Sequence, residues 1–284
     1  MTLTRNEVLR LLEENNISPS RALGQNFVAD PNTVRRVARL SGIGPGAHVV
    51  EVGAGLGSLT LALAETGASV VAVERDRRLV PLLESVLAAK APGAAVKVVE
   101  ADAMTLDWAT LLAGPEEWSL VANLPYNVAT PIVADLLDGV PAIGRMTFMV
   151  QREVADRLVA GPGSAAYGAV SVKVSYWAQA SLLGGVPSSV FVPKPRVGSA
   201  LVGIQRRAEP AVSRSVVPSG QFFEVVRTGF AQRRKMLRRA LSSLAPPPGA
   251  FATAGIKEEA RAEELSVEDW GRLAAAVCGL SSRL

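Results

Sequence analysis

At 284 residues, with 49% hydrophobic and 20% charged, the chain can fold one large domain and a small one, which excludes a disordered protein. No run approaches the roughly 18 apolar residues of a membrane span, and the N-terminal stretch, interrupted by Glu7, Glu13 and Glu14, is not a secretory signal; a soluble cytoplasmic protein is expected. One cysteine (Cys278) and one histidine (His48) exclude an internal disulfide, zinc catalysis and histidine-based triads, so no metal site is expected.

The first predicted element is an amphipathic helix over residues 4–14, where Thr4 and Glu7 have the spacing of a capping box. A polar stretch with Pro19 and Ser20 leads into Leu23-Gly24-Gln25-Asn26-Phe27, and Pro31 opens a helix running to Leu40. Strands are then predicted at 47–52, 69–74, 96–100, 119–123 and 146–151, alternating with helices at 59–65, 79–89, 131–137 and 153–159. Val170–Ala178 and Leu201–Arg206 read as the last strands. Continuous apolar strands alternating with helices imply a mainly parallel sheet covered on both faces.

Beyond Arg207 the pattern is helical only. One long helix is predicted from Gln221 to Leu244, broken by Pro246-Pro247-Pro248-Gly249, and another from Val267 to Cys278 with Ser266 as N-cap. The expected division is therefore an α/β domain over 1–207 and an all-helical domain over 208–284. The net charge of +4 follows that division: residues 205–284 hold 13 Lys and Arg against 8 Asp and Glu, while the remaining 204 balance to −1. A polyanionic partner met partly through the C-terminal region is implied.

Two runs carry the chemistry. Val49-Val50-Glu51-Val52-Gly53-Ala54-Gly55-Leu56-Gly57 places a glycine-rich turn after the first strand of the α/β pattern, where backbone can approach a ligand. Ser58 stands where the dinucleotide fingerprint needs glycine, which favours S-adenosylmethionine over NAD; a tight strand-to-helix turn is the alternative. Glu74, ending the next strand, can accept hydrogen bonds from ribose hydroxyls, and Asp102, just past the third strand, can reach an adenine amine or simply be solvated. The second run, Asn123-Leu124-Pro125-Tyr126, follows the fourth strand. An amino nitrogen conjugated to a purine is a poor nucleophile. The Asn123 oxygen and a backbone carbonyl beside Pro125 can accept its two hydrogens and free the lone pair, while Tyr126 offers a stacking face. Taken alone, the run is equally a proline turn closing a strand.

With these residues in view the sequence resembles the bacterial small-subunit rRNA adenine dimethyltransferases, the KsgA family. The matching motifs are Gly24-Gln25-Asn26-Phe27, the 49–57 cradle, Asp102-Ala103-Met104, Asn123-Leu124-Pro125-Tyr126-Asn127 and Val150-Gln151-Arg152-Glu153. Phe191-Val192-Pro193-Lys194-Pro195-Arg196-Val197-Gly198-Ser199 and Phe230-Ala231-Gln232-Arg233-Arg234-Lys235 complete the set. The resemblance implies a doubly wound, Rossmann-like class I methyltransferase sheet and S-adenosylmethionine contacts from Asn26, Val28, Gly53, Gly55, Glu74, Asp102 and Asn123. It implies that Tyr126 and Phe191 frame the target adenine, Phe191 being otherwise a hydrophobic anchor. It further implies two adjacent adenosines near the 3′ end of 16S rRNA, in an immature small subunit, as the substrate and N6,N6-dimethyladenosine as the product; for oligomeric state, monomer is the default expectation. Ala54 and Gly198 depart from the family, which commonly has proline and an acidic residue there.

Phe223, Val226, Phe230, Leu237, Leu241 and Leu244 share one stripe of the long predicted helix and read as its core face. Arg233 and Arg234 flank it, and Lys235 and Arg239 point away; such charges usually mark a solvated face, but an RNA substrate makes phosphate contacts the better reading. Arg152, Lys194 and Arg196 are candidates for further contacts near the pocket. A relative that methylates 23S rRNA, a catalytically idle subunit-assembly factor and, more distantly, a dehydrogenase are the competing readings.

Overall fold

The capping box at Thr4 and Glu7 does form. Glu7 accepts the Thr4 amide at 2.8 Å, the Thr4 hydroxyl accepts the Glu7 amide at 3.4 Å, and helix α1 runs Arg5–Glu14. Strand β1 (Phe27–Val28) follows. Asp30 then caps α2 (Pro31–Ser41) by accepting the Thr33 amide at 2.8 Å, and Gly42, left-handed at φ 68°, ends it. The computed structural model describes residues 2–114 and 117–280.

The alternating part contains β2 (His48–Val52), α3 (Ser58–Ala64), β3 (Ser69–Glu74), α4 (Val80–Lys90) and β4 (Val96–Glu100). It continues through α5 (Trp108–Leu111), β5 (Trp118–Asn123), α6 (Ala129–Gly139), β6 (Ile143–Gln151) and α7 (Arg152–Val159). Then come α8 (Ala169–Trp177), β7 (Ala178–Val186), β8 (Phe191–Val192) and β9 (Ser199–Arg206). The helical remainder is α9 (Ser219–Ala231), α10 (Leu237–Ala240), α11 (Ala250–Ala254) and α12 (Val267–Val277).

Seven strands form one sheet in the order β4-β3-β2-β5-β6-β9-β7, while β1 and β8 pair apart from it. β2 through β6 are parallel, with Val49 opposite Val70 and Asn123 opposite Met149; β9 runs antiparallel to β6. From β2 the order proceeds to β3 and β4 on one side and from β5 to β6 on the other, so the sheet reverses between β2 and β5. Such a reversal opens a crevice at the strands' carboxyl ends. Val49, Val50, Leu120, Ala122 and Phe148 are fully buried, as expected of strands covered on both faces. One apolar cluster joins α2 and α3 to the sheet; another joins α1 and α4 to β1 and α3.

The chain folds as two compact units, one of Met1–Ala155 with Ser181–Gln205 and a second of Asp156–Ala180 with Arg206–Leu284. The second unit differs from the single cut expected near residue 207, because α8 belongs to it. Val170–Ala178, read as a strand, is helical over Ala169–Trp177. Val170, Val172 and Val174 alternate like a strand, but the Ser171 hydroxyl caps the turn, accepting from the Gly168 amide at 3.0 Å and donating to the Arg157 carbonyl at 2.6 Å. The long helix expected over Gln221–Leu244 ends at Ala231 and restarts at Leu237, whose amide donates to the Ala260 carbonyl at 2.8 Å. Phe223, Val226, Leu237 and Leu241 of the expected stripe are buried, whereas Phe230 and Leu244 are only partly so. Among the described residues no helix is long and apolar enough to cross a membrane, and no cluster of His, Cys, Asp and Glu could hold a metal ion.

Candidate active site

The crevice at the sheet reversal is lined by the turn after β2, the ends of β3 and β5, the 101–103 loop and residues 23–28. Local conformation explains why backbone reaches so close. Gly53, Gly55 and Gly57 all have positive φ (76°, 59° and 87°), and a Cβ on Gly55 would lie 3.0 Å from the Phe27 ring. Glu74, buried at the end of β3, holds this turn: its carboxylate accepts the Gly55 and Asp76 amides, each at 2.8 Å. Burial raises its pKa, against the lowering effect of those amides. A carboxylate has about four lone-pair sites, so with these amides bound Glu74 can still accept a ligand hydroxyl.

Asp102 accepts the Met104 amide at 3.0 Å and pairs with Arg75 at 3.2 Å, so it is held rather than freely solvated. Residues 20–25 are fixed over the crevice by Gln25, which accepts the Ser20 amide at 2.8 Å and donates to Asp76 at 2.9 Å. The Arg78 guanidinium holds the Asp76 pKa down to about 2.

Asn123 is the decisive side chain. Its Nδ2 donates to the Asn26 carbonyl at 2.8 Å. Only the NH2 end can donate, so this bond fixes the amide's orientation. The opposite atom, Oδ1, is buried on the crevice wall with no hydrogen-bond partner. An unmade bond on a buried acceptor costs about 1–3 kcal/mol and marks where a donor belongs. Next to it, the Pro125 carbonyl is taken by the Val128 and Ala129 amides at 3.2 and 3.1 Å, leaving the Leu124 carbonyl as the backbone acceptor beside Asn123. The Leu124 side chain is buried and its amide donates to Met149 at 3.1 Å, which anchors the turn. Tyr126 is half-buried, its hydroxyl 2.7 Å from that of Ser199, and burial raises its pKa.

The crevice therefore brings together Asn26, Val28, Gly53, Gly55, Glu74, Asp102, Asn123 and Pro125. Leu124 and Tyr126 adjoin it without forming its wall. Phe191 is not at the crevice: its ring is fully buried in the α2–α3 cluster with Val28, Val121 and Met149, the anchor alternative. Arg152, Lys194 and Arg196 are exposed, as are Arg234, Lys235 and Arg239 in the second unit. Arg233 is engaged instead, donating to Glu263 at 2.6 Å and to the Ala165 carbonyl at 2.9 Å.

Two wall residues were not assigned roles from sequence. Glu51 in β2 is 1% exposed with Oε2 unpartnered, and burial, followed by repulsion from Glu74, pushes its pKa up to about 8. The Ser58 hydroxyl is likewise buried and unpartnered. The signal for Glu51 was present: a single acid inside an otherwise apolar strand. Three orphaned polar atoms on one wall, with a glycine turn that a Cβ would obstruct, fit a polar, cationic ligand of nucleoside type.

Comparison with known proteins agrees with this geometry. The ribosomal RNA adenine dimethylase family matches residues 17–277. A Streptomyces coelicolor protein named ribosomal RNA small subunit methyltransferase A is 47% identical, covering 91% of both chains; a Thermobifida fusca protein of the same name is 45% identical over 96% of this chain and 95% of its own. Among solved structures, the 23S rRNA methyltransferase ErmE matches at TM-score 0.68 and 26% identity, over 89% of this chain and all of that one. A dimethyladenosine transferase from Plasmodium falciparum shares the fold at TM-score 0.71 and 20% identity, over 87% of this chain and 95% of its own. By family model, sequence identity and fold together, the chain belongs to the ribosomal RNA adenine dimethylase family.

Proposed function

We propose that the chain transfers methyl groups from S-adenosylmethionine to N6 of two adjacent adenosines near the 3′ end of 16S rRNA, in an immature small ribosomal subunit. The products are N6,N6-dimethyladenosine and S-adenosylhomocysteine, and the enzyme works as a cytoplasmic monomer. The observation that carries this reading is the orphaned Asn123 oxygen, fixed by the Asn26 carbonyl in a crevice built for a nucleoside. The choice of small over large subunit follows relatives named for the small subunit at 45–47% identity, against 26% for the 23S enzyme.

When bound, S-adenosylmethionine supplies an electrophilic methyl group on a sulfonium. Glu74 would accept the ribose hydroxyls, Asp102 the adenine amine, and Asn26, Val28, Gly53 and Gly55 would enclose the rest. Asn123 Oδ1 and the Leu124 carbonyl accept the two hydrogens of the target amine, so its lone pair turns toward the methyl carbon; the surplus proton passes to solvent. Pro125 keeps the turn rigid and Tyr126, held by Ser199, supplies a stacking face. Phe191, buried in the α2–α3 cluster, would anchor the 189–192 segment rather than touch the base. Catalysis of this kind is positioning and electrostatics, with no general base. The C-terminal domain would dock the particle through Arg234, Lys235 and Arg239, with Arg152, Lys194 and Arg196 adding phosphate contacts on the larger domain.

The test is incubation with labelled S-adenosylmethionine and small subunits lacking the modification, followed by primer extension. Label at two adjacent 3′-end adenines is expected, with Asn123→Ala lowering turnover at saturating cofactor roughly a hundredfold or more. Tight particle binding without label would favour an idle assembly factor. Label on 23S rRNA alone would transfer the assignment to the resistance relatives.

A further inference from the structure

The N-terminal helix is tied to the β1–β8 ribbon next to the crevice through one guanidinium. Arg5 Nη1 donates to the Ser189 carbonyl at 2.9 Å and to the Phe191 carbonyl at 3.4 Å. The Phe191 carbonyl belongs to β8 and the Ser189 carbonyl to the 3-10 turn just before it; β8 pairs antiparallel with β1, Val28 opposite Phe191 and Phe27 opposite Val192. The Ala29 amide extends that pairing, donating to the Val190 carbonyl at 2.8 Å. β1 begins one residue after Asn26, whose carbonyl orients the Asn123 amide. The carbonyl that sets the catalytic oxygen thus adjoins a ribbon of two two-residue strands, whose side chains are packed in the core and whose backbone pairing is too short to hold alone. Arg5 adds the polar tie between β8 and α1, beside the apolar cluster that holds Val192 with Leu3, Val8 and Leu12.

We propose that Arg5 is a positioning residue for methyl transfer: by holding residues 189–191 it fixes β1, the Asn26 carbonyl and, through that carbonyl, the Asn123 oxygen. The assignment rests on the reading of Asn123 as acceptor of the target amine. A second tie on the same helix provides the contrast. Lys90 bonds Glu7 at 2.7 Å and so joins α1 to α4 without touching the ribbon. Both ties stabilise the N-terminal helix, but only one leads to Asn26.

The experiment compares Arg5→Ala, Arg5→Lys and Lys90→Met in the full chain. It measures methyl transfer to unmodified small subunits, binding of S-adenosylhomocysteine, and denaturant stability. Arg5→Ala is expected to lower kcat roughly ten- to hundredfold while KM for the particle and cofactor affinity stay at parental values. Arg5→Lys should recover most of kcat, because one nitrogen makes both bonds and an ammonium carries enough donors to replace it. Lys90→Met should lose stability and keep kcat. Parental kcat in Arg5→Ala, or an equal loss in Arg5→Ala and Lys90→Met, would overturn the assignment alone. Absence of transfer by the parent chain would overturn the reading of Asn123 and this assignment with it.

Discussion

Glu51 shows how much one side chain can cost a fold that keeps it. An acid sealed inside a sheet cannot shed its proton at the usual pH, because no solvent stabilises the carboxylate and Glu74 repels it. Its folded pKa of about 8 stands above the ordinary 4.5, so between those values the unfolded chain releases a proton that the folded chain retains. The Glu51 contribution to stability therefore falls as pH rises from about 4.5 to about 8 and levels off beyond. Glu7, Glu65 and Asp76, held down to about 2 by Lys90, Arg35 and Arg78, act in the opposite sense and in another window: their contribution is present above about 4.5 and lost as pH falls toward 2. Urea denaturation of Glu51→Gln across pH 5–8 should show the variant gaining on the parent as pH rises, since a neutral amide has no proton to withhold. A gap that stays constant with pH would place the titrating group elsewhere. The same residue marks a limit of sequence reading at this scale. Glycine positions, Glu74 and Asn123 were legible because their chemistry is tied to a turn or a strand end, and Glu51 stood in the same run. What could not be read was whether its carboxylate would find a partner, since that depends on side chains brought in by packing.

At the level of elements, legibility followed length and period. Strands β2 to β6 carry five or more residues each and were placed to within a few residues of their observed ends. The β1–β8 ribbon was missed, because two-residue strands have no period and their partners lie more than 160 positions apart. Segment α8 was misread since three valines at alternating positions satisfy either geometry until a cap decides. The joint between α9 and α12 gives the sharpest test. Trp270 is completely buried and lies against Gly229, where an added Cβ would come within 2.5 Å of the indole. Alanine is favoured over glycine within a helix by roughly 1 kcal/mol, but overpacking a closed contact costs about 1–3 kcal/mol. With a backbone-fixed Cβ at 2.5 Å from the indole the steric term wins, and Gly229→Ala should lower stability by up to about 2 kcal/mol in denaturant titration. A stabilised variant would mean that the indole has room to retreat.

Across the whole molecule, the uneven charge visible in the sequence becomes a smaller set of available cations once the structure is known. Arg233 is bonded to Glu263 and Ala165, and Arg238 pairs with Glu258 at 3.5 Å, so both serve the second unit's own packing. Arg234, Lys235 and Arg239 stand exposed. No pattern of residues along the chain could have told these two groups apart, because the distinction is made by acids 20 to 30 positions away. If the exposed group meets rRNA phosphates, each contact releases counterions and adds roughly 0.7–0.9 to the slope of log affinity against log salt. Lys235→Glu with Arg239→Glu should then reduce the slope for small-subunit binding by roughly 1.4–1.8 and weaken binding most at low salt. Affinity for S-adenosylhomocysteine should not change, because neither residue lines the crevice. Binding measured between about 50 and 200 mM salt decides the matter. Equal slopes for variant and parent would remove these two residues from the RNA-facing surface and leave the larger domain's Arg152, Lys194 and Arg196 as the contacts to test next.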